Sequence, residues 1–461
     1  MILIKKLLKF FPTIAIMVVL SSCGDSSDNI SSKYFKPQYK GRTLKMMSNI
    51  IGGKTPYEQK LFVDELERRL GFRIDFFKPA SGYDNIVLQI FSSGESYDLI
   101  NMTSENLPIF IEQGALKNLT QIVKNSPILS NPKVIPTKIW NTIKVNNKIY
   151  GVPAKFEGGR LPIVREDWLK EFGMKDPITL DDWIEFWDMA KKKKNAYGLS
   201  TKGLYDVQPW ASAFGLKDGY VLVKGKKTLP YASDKAAEFW DWLAKVYRLG
   251  YLDPNFVVNQ PKDFRNLFFA NSVASVGYWD AWVGLFNNTE IERYKKGTFI
   301  AKGIKGVPGP GGKIILTAGD NSLWVIPYNA KNIDMAIKFL EFWHSPPGYI
   351  LGSVGIEGYD YTRNKKGKIV LTEIGLEHAG DHGAPRVLSA TWKPPFPPLL
   401  GVTTAEKIII KYATPMYMPL DWADALQVIE YWSFKAIKGQ ITGKQAVKNM
   451  QNELKEKRLI D

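Results

Sequence analysis

The segment Gly277-Tyr278-Trp279-Asp280-Ala281-Trp282 puts three aromatic rings and a carboxylate within six residues. Indole and phenol rings stack on apolar faces, and a carboxylate accepts hydrogen bonds from hydroxyls. A pyranose offers both, with an apolar ring face and a rim of hydroxyls. The run Ser272 to Val276 before it is apolar and short, so it reads as a strand with Trp279, Asp280 and Trp282 at its end. Trp210, beside Pro209 and ahead of Phe214-Gly215, is a second candidate ring. Asn49, Ser81, Asn101 and Asp320 fall at predicted strand ends, and Lys155 and Glu157 follow a short apolar crossing. Together these ten residues are the candidate ligand contacts, although each polar one also suits a turn or cap. Trp324 follows Asp320-Asn321 within an apolar strand and reads equally as wall or core.

Catalytic chemistry finds less support. A glycosidase needs two carboxylates roughly 5–10 Å apart, and spacing in sequence does not report that distance. Glu377-His378-Ala379-Gly380-Asp381-His382 sets two His four apart, but Gly380 and the lack of an apolar face favour a loop over a metal-binding helix. The Gly-rich stretch Gly303 to Gly312 is no phosphate loop. Counting back from Lys313 puts Val307 where the first Gly belongs, and Ile314 stands where Ser or Thr should follow the Lys. The expectation is a binder, with no catalytic residue, metal or cofactor.

The chain begins with Lys5, Lys6 and Lys9, an apolar stretch from Ile14 to Leu20, and Leu20-Ser21-Ser22-Cys23. That order reads as a secretory signal over 1–22. The tetrapeptide resembles the bacterial lipobox, in which the Cys carries a diacylglycerol. Cys23 is the only cysteine, so no internal disulfide can form, and lipidation accounts for its place. Residues 23–40, rich in Ser and Asp, read as a flexible tether. The expected location is therefore the outer face of a membrane, in the cell envelope. The formal charge of +16 is spread over helix faces and turns, and its densest runs, as at Lys191 to Lys194, are short. This suits surface solvation and helix C-termini rather than nucleic acid.

Behind these residues the chain alternates strand and helix. Thr43 to Met47, Arg73 to Phe77 and Tyr97 to Ile100 read as strands. Between the first two, Thr55-Pro56-Tyr57-Glu58 opens a helix that Gly71 stops; Tyr83, Val87, Ile90 and Phe91 mark the next helix. This βαβαβ order predicts a parallel sheet, with ligands at the carboxyl ends of its strands. Asn147 to Pro153 reads as a crossing between lobes. Thr179, Ser233 and Asn332 read as helix caps, and Pro346-Pro347 as a stop. Tryptophans at helical spacing, such as Trp183, Trp187 and Trp240, are expected in the core. The 461 residues suffice for two or three domain-sized units.

Several segments, in order, carry a resemblance. Lys148-Ile149-Tyr150-Gly151-Val152-Pro153, then Arg165-Glu166-Asp167-Trp168-Leu169, resembles the crossing strand and "R-x-D-W-L" helix of bacterial extracellular solute-binding proteins of family 1, the maltose-binding-protein type. Tyr247 to Pro254 is similar to the family's "Y-x-x-G-x-I-x-P" turn, with Leu252 for Ile. Gly355-Ile356-Glu357-Gly358-Tyr359-Asp360-Tyr361 is similar to its "G-I-E-G-x-x-Y" segment. The resemblance implies an α/β, two-lobe periplasmic-binding-protein type II fold with hinge crossings. It implies lobes at 41–155 with 317–370, and at 156–316 with 371–461. It also implies a monomer that captures a sugar or oligosaccharide between the lobes and passes it to ABC importer permease subunits. A ligand-presenting sensor lipoprotein or a peptide binder would use the same cleft.

Overall fold

The computed structural model describes residues 36–461 except 81, 105–106, 155–157, 295–298, 320–321, 379–391, 394 and 420. The predicted signal, Cys23 and most of the tether lie outside the described residues. No helix among the described residues is long and apolar enough to cross a membrane.

In chain order the first strands are β1 (Thr43–Met47), β2 (Arg73–Phe77), β3 (Leu99–Thr103), β4 (Gly151–Pro153), β5 (Gly159–Arg165) and β6 (Tyr197–Ser200). Then come β7 (Val221–Val223), β8 (Lys226–Thr228), β9 (Val273–Trp279), β10 (Ala301–Gly303), β11 (Leu316–Ala318) and β12 (Ser322–Val325). The last three are β13 (Tyr361–Arg363), β14 (Ile369–Leu371) and β15 (Ala413–Pro415). They form two main sheets, ordered β2-β1-β3-β12-β4 and β15-β11-β5-β9-β6, with β10 also on β5.

The first sheet starts as predicted, with β1 parallel to both β2 and β3. Local chemistry explains its first helix, Pro56–Leu70. The Thr55 hydroxyl accepts from the Glu58 N–H, the Glu58 carboxylate accepts from the Thr55 N–H, and Gly71 ends the helix at φ 80°. Leu44, Met46, Phe62, Ile100, Trp324 and Phe339 meet in the first core. The second sheet is covered on both faces. Every residue of β5 is buried, including Arg160 and Arg165 at either end of the apolar run Leu161 to Val164, which a covered sheet requires. Val164, Trp168 and Trp187 join one core; Leu161, Ile163 and Val276 join another.

Three predicted helix ends differ. The Ser233 hydroxyl donates back to the Pro230 carbonyl, so the next helix begins only at Ala236. Pro346 opens the helix Pro346–Ser353 instead of closing the one before it, because proline needs no N–H partner in a first turn. Asn332 caps nothing through its side chain, which bonds the Thr43 carbonyl, Asp98 and Arg42 instead.

The sheets are joined by two antiparallel segments lying side by side. β4 pairs with β12, and β5 pairs with β11. Between those pairs, the Ala154 N–H donates to the Ser322 carbonyl at 2.8 Å and the Gly319 N–H to the Gly158 carbonyl at 3.1 Å. The expected lobe change at 317 therefore moves: Thr317 pairs with Arg160 in the second sheet, and the chain returns to the first sheet only at Ser322. The change expected at 371 moves as well. Leu371 pairs with Tyr361, and the helix Glu373–Glu377 leads to His378 on the first body. There Nδ1 of His378 lies 2.9 Å from Asp360 Oδ1, and Nε2 lies 3.1 Å from Glu58 Oε1. The ring ties this return segment to the start of the first helix.

His378→Ala should leave two buried carboxylates without the ring between them. The expected loss is about 1–3 kcal/mol, read as a lower urea midpoint with unchanged ligand affinity in whatever protein remains folded. An unchanged midpoint would show that the ring braces nothing.

Candidate functional site

Strand register builds the site. Arg160 of β5 lies opposite Trp279 of β9; Thr317 of β11 lies opposite Arg160; Thr414 of β15 lies beside Thr317. These four residues form one row across four strands, at the end of the second sheet where the crossing segments enter. A cavity of about 400 Å³ opens at this row. Its rings are Trp279, Tyr205, Tyr231 and Trp422, supplemented by Met416 and Met418. Its charged lining comes from Arg160, Lys202, Asp218 and Glu430, and Ala318 and Gly319 of the crossing complete one side.

Arg160 organises the floor. Its Nη1 lies 2.9 Å from Asp206 Oδ1, and its Nη2 donates to Met416 Sδ at 3.2 Å. Its guanidinium sits 4.5 Å from the Tyr205 ring centroid and 5.7 Å from that of Trp279. The Trp279 indole N–H donates to the Tyr205 hydroxyl at 3.1 Å, so both rings are held in place. Burial works against the Arg160 charge, but Asp206, Tyr205 and Asp218 together outweigh it and hold the guanidinium above its ordinary value. Burial likewise pushes the Asp206 carboxyl up, and Arg160 opposes that rise.

The backbone around Asp206 is unusual. Asp206 adopts φ 68°, and its carbonyl lies so close to β9 that a Cβ on Gly277 would be 2.0 Å from it. Glycine at 277 is what allows the Tyr205-Asp206 turn to rest on the strand. Gln208 anchors the far side. Its amide donates to the carbonyls of Leu216 and Ile315, while its oxygen accepts from the Asp218 N–H at 2.7 Å and the Tyr231 hydroxyl at 3.2 Å. Burial raises both Asp218 and Glu430; Arg160 and the Gly219 N–H oppose it at Asp218, and the Leu204 N–H and Lys202 oppose it at Glu430.

Of the predicted contacts, Trp279 lines the cavity. Asp280 does not: it is fully buried, and its Oδ1 accepts from the Gly159 N–H at 3.3 Å, pinning the start of β5 just before the helix Ala281–Tyr294. Trp210 is also fully buried, edge-on to Trp183 at 5.2 Å. Trp282 packs on Tyr278 and Phe286 in the core beyond the sheet, under the Arg265 guanidinium. Trp324 belongs to the first core, edge-on to Phe339. Asn101 is buried and locks β3 to β12, donating to the Leu323 carbonyl and accepting from the Ser322 hydroxyl. Asn49 is exposed in the loop after β1. Ser81, Lys155, Glu157 and Asp320 lie outside the described residues. Sequence reasoning missed Arg160, Tyr205, Asp218, Trp422 and Glu430. Only Arg160 carried a signal, as a charge at the head of the apolar run Leu161 to Val164.

Two sheets joined by paired crossing strands, with a ring-lined cavity beside the crossing, define a two-lobe solute binder. Residues 63–355, more than half the chain, match the family described as bacterial extracellular solute-binding protein, and the chain belongs to that family. It is similar to Lipoprotein LipO of Bacillus subtilis (strain 168), 22% identical over 366 residues, covering 75% of this chain and 71% of LipO. It is similar to the fructooligosaccharide ABC transporter substrate-binding protein FusA of Streptococcus pneumoniae serotype 4 (strain ATCC BAA-334 / TIGR4), 23% identical over 392 residues, covering 76% of this chain and 71% of FusA. Among solved structures, the alginate-binding protein AlgQ2 without calcium ion superposes with a TM-score of 0.70 at 18% identity, covering 90% of this chain and 94% of AlgQ2. The two-lobe type II fold is thereby shown, and the chain is a solute binder rather than an enzyme.

Removing one member of a buried ion pair strands the other. Asp206→Asn is expected to cost about 3–5 kcal/mol by chemical denaturation. Adding Arg160→Met should recover part of that loss, because no unpaired charge then remains. Strictly additive losses would show that the two groups do not act as a pair.

Proposed function

We propose that this protein captures a sugar or oligosaccharide outside the cytoplasm for an ABC importer, held at the membrane by lipid on Cys23. The observation that carries the reading is the cavity at the crossing. Rings from Trp279, Tyr205, Tyr231 and Trp422 surround charged and polar groups at one sheet end. Stacking faces beside hydroxyl acceptors are what a sugar requires and what a purely apolar ligand would leave unpaired. The names of similar proteins support the class, since FusA is named for a fructooligosaccharide and AlgQ2 for alginate. LipO is named a lipoprotein, which supports the anchor.

The opposing wall would come from the first lobe. Asn49 and the predicted contacts Ser81, Lys155, Glu157 and Asp320 are the residues proposed for it. A ligand bonded to both lobes only when they close would draw the equilibrium toward the closed form by its differential affinity. Permease subunits would then read that form.

A thermal-shift screen against an oligosaccharide panel should raise the melting temperature with at least one member, and small-angle scattering with that ligand should show a smaller radius of gyration. Trp279→Ala should weaken that binding about tenfold or more, since burying an aromatic face contributes about 1.5–3 kcal/mol, whereas Trp282→Ala should bind normally. Wild-type affinity in Trp279→Ala would remove the cavity as the site. Cys23→Ala should release the protein from membranes; retention there would refute the lipid anchor.

A further inference from the structure

We infer that the cavity is built for uncharged sugars and discriminates against uronates, with Glu430 and Asp218 as the discriminating residues. The inference rests on the sugar reading above and adds the charge class of the ligand.

The argument is a balance of charges at the cavity. Among the described residues its lining holds two cations, Arg160 and Lys202, and two carboxylates, Asp218 and Glu430. Arg160 is already committed, since its Nη1 faces Asp206 at 2.9 Å beneath the floor. Lys202 is exposed, and its charge acts on Glu430. Among the described lining residues, a uronate entering here would lose its water and meet only cations whose charge already acts on a carboxylate. It would also approach two carboxylates, and like charges in a desolvated site cost several kcal/mol.

The same groups suit hydroxyls. Asp218 accepts from the Gly219 N–H through Oδ1 at 2.9 Å, and Glu430 accepts from the Leu204 N–H. A carboxylate has about four acceptor sites, so each retains lone pairs for sugar hydroxyls, which are donors. Hydrogen bonds to an ionised acceptor are stronger than neutral ones. Both acids are placed by the fold rather than by solvent. Gln208 holds the backbone N–H of Asp218 at 2.7 Å, and Glu430, half-buried on the helix Trp422–Ile437, lies against Gly203, where an added Cβ would be 2.7 Å from its Oε1. Burial already works against their negative charge, so a further anion would deepen the penalty.

Titration calorimetry on the full-length protein tests this with two length-matched sets, neutral fructo-, malto- and xylo-oligosaccharides against oligogalacturonates and oligomannuronates. The best neutral ligand should bind at least about tenfold tighter than any uronate, a gap of about 1.4 kcal/mol, and its affinity should not change between low and high salt. A uronate that binds as tightly, with affinity falling as salt rises, overturns the charge inference and leaves the sugar reading standing. If neither set binds folded protein, both fail. Glu430→Gln keeps the shape and removes the charge. It should weaken neutral binding, because an ionised acceptor is lost, while narrowing the gap to uronates about tenfold. Asp218→Asn is the second variant for the same measurement. A gap unchanged in both variants overturns the assigned roles.

Discussion

A charged pair sealed beneath the cavity governs this site. Arg160 and Asp206 are both buried, and separating such ions from water is costly unless they face each other. Their contact therefore fixes two pieces of chain that are otherwise unrelated, the head of β5 and the turn at Tyr205-Asp206. Everything lining the floor follows. Tyr205 lies against the guanidinium, Trp279 is bonded to Tyr205, and Met416 receives the remaining Nη2. The turn can approach β9 only because residue 277 is glycine. A stacking surface is thus obtained from electrostatics and one missing Cβ, not from a pre-existing apolar groove.

The cavity and the crossing share Ala318 and Gly319, so the proposed recognition would be coupled to motion of the lobes. Arg160 stands one residue into β5, and Gly319 stands one residue past β11. Both segments continue into the paired strands β4 and β12 of the first sheet. A solute held on Trp279 and Gly319, as proposed, would touch the connection between lobes directly. Hinges are drawn from such element-terminal positions because they absorb dihedral change while the packed cores remain intact. The two lobes have separate cores, which permits that motion.

Much of this was legible from sequence wherever the cause was local. The βαβαβ start and the capping boxes at Thr55 and Thr179 rest on neighbouring residues, so pattern alone sufficed. The family segments, in their order, carried the fold. Site residues fared worse because exposure is a tertiary property. Asp280 and Trp210 have the right chemistry, yet one closes a strand–helix junction and the other fills a core. Tyr205, Asp218 and the helix carrying Trp422 and Glu430 are three separate stretches, and only strand register and loop anchoring assemble them. The lobe boundary at 317 was misplaced for a related reason. A three-residue strand such as β11 is too short for periodicity to say which sheet it joins.

The tryptophans show how position decides role when chemistry is constant. Trp183, Trp187 and Trp240 ride on helices with their apolar neighbours, and such a stripe turns entirely inward. Trp279 instead ends a strand. Its β9 neighbours are buried on both faces, but past Tyr278 the covering layers stop and the sheet edge meets the crossing. A large ring at that point packs on a core of the second lobe along one part and leaves the rest uncovered. That remainder can be covered only by the loops beside it or by a guest. The loops here hold its edge through Tyr205 and leave the 400 Å³ space next to it. A ring placed where a strand runs out, and braced at its edge, is therefore better evidence of a binding surface than the abundance of rings in the chain.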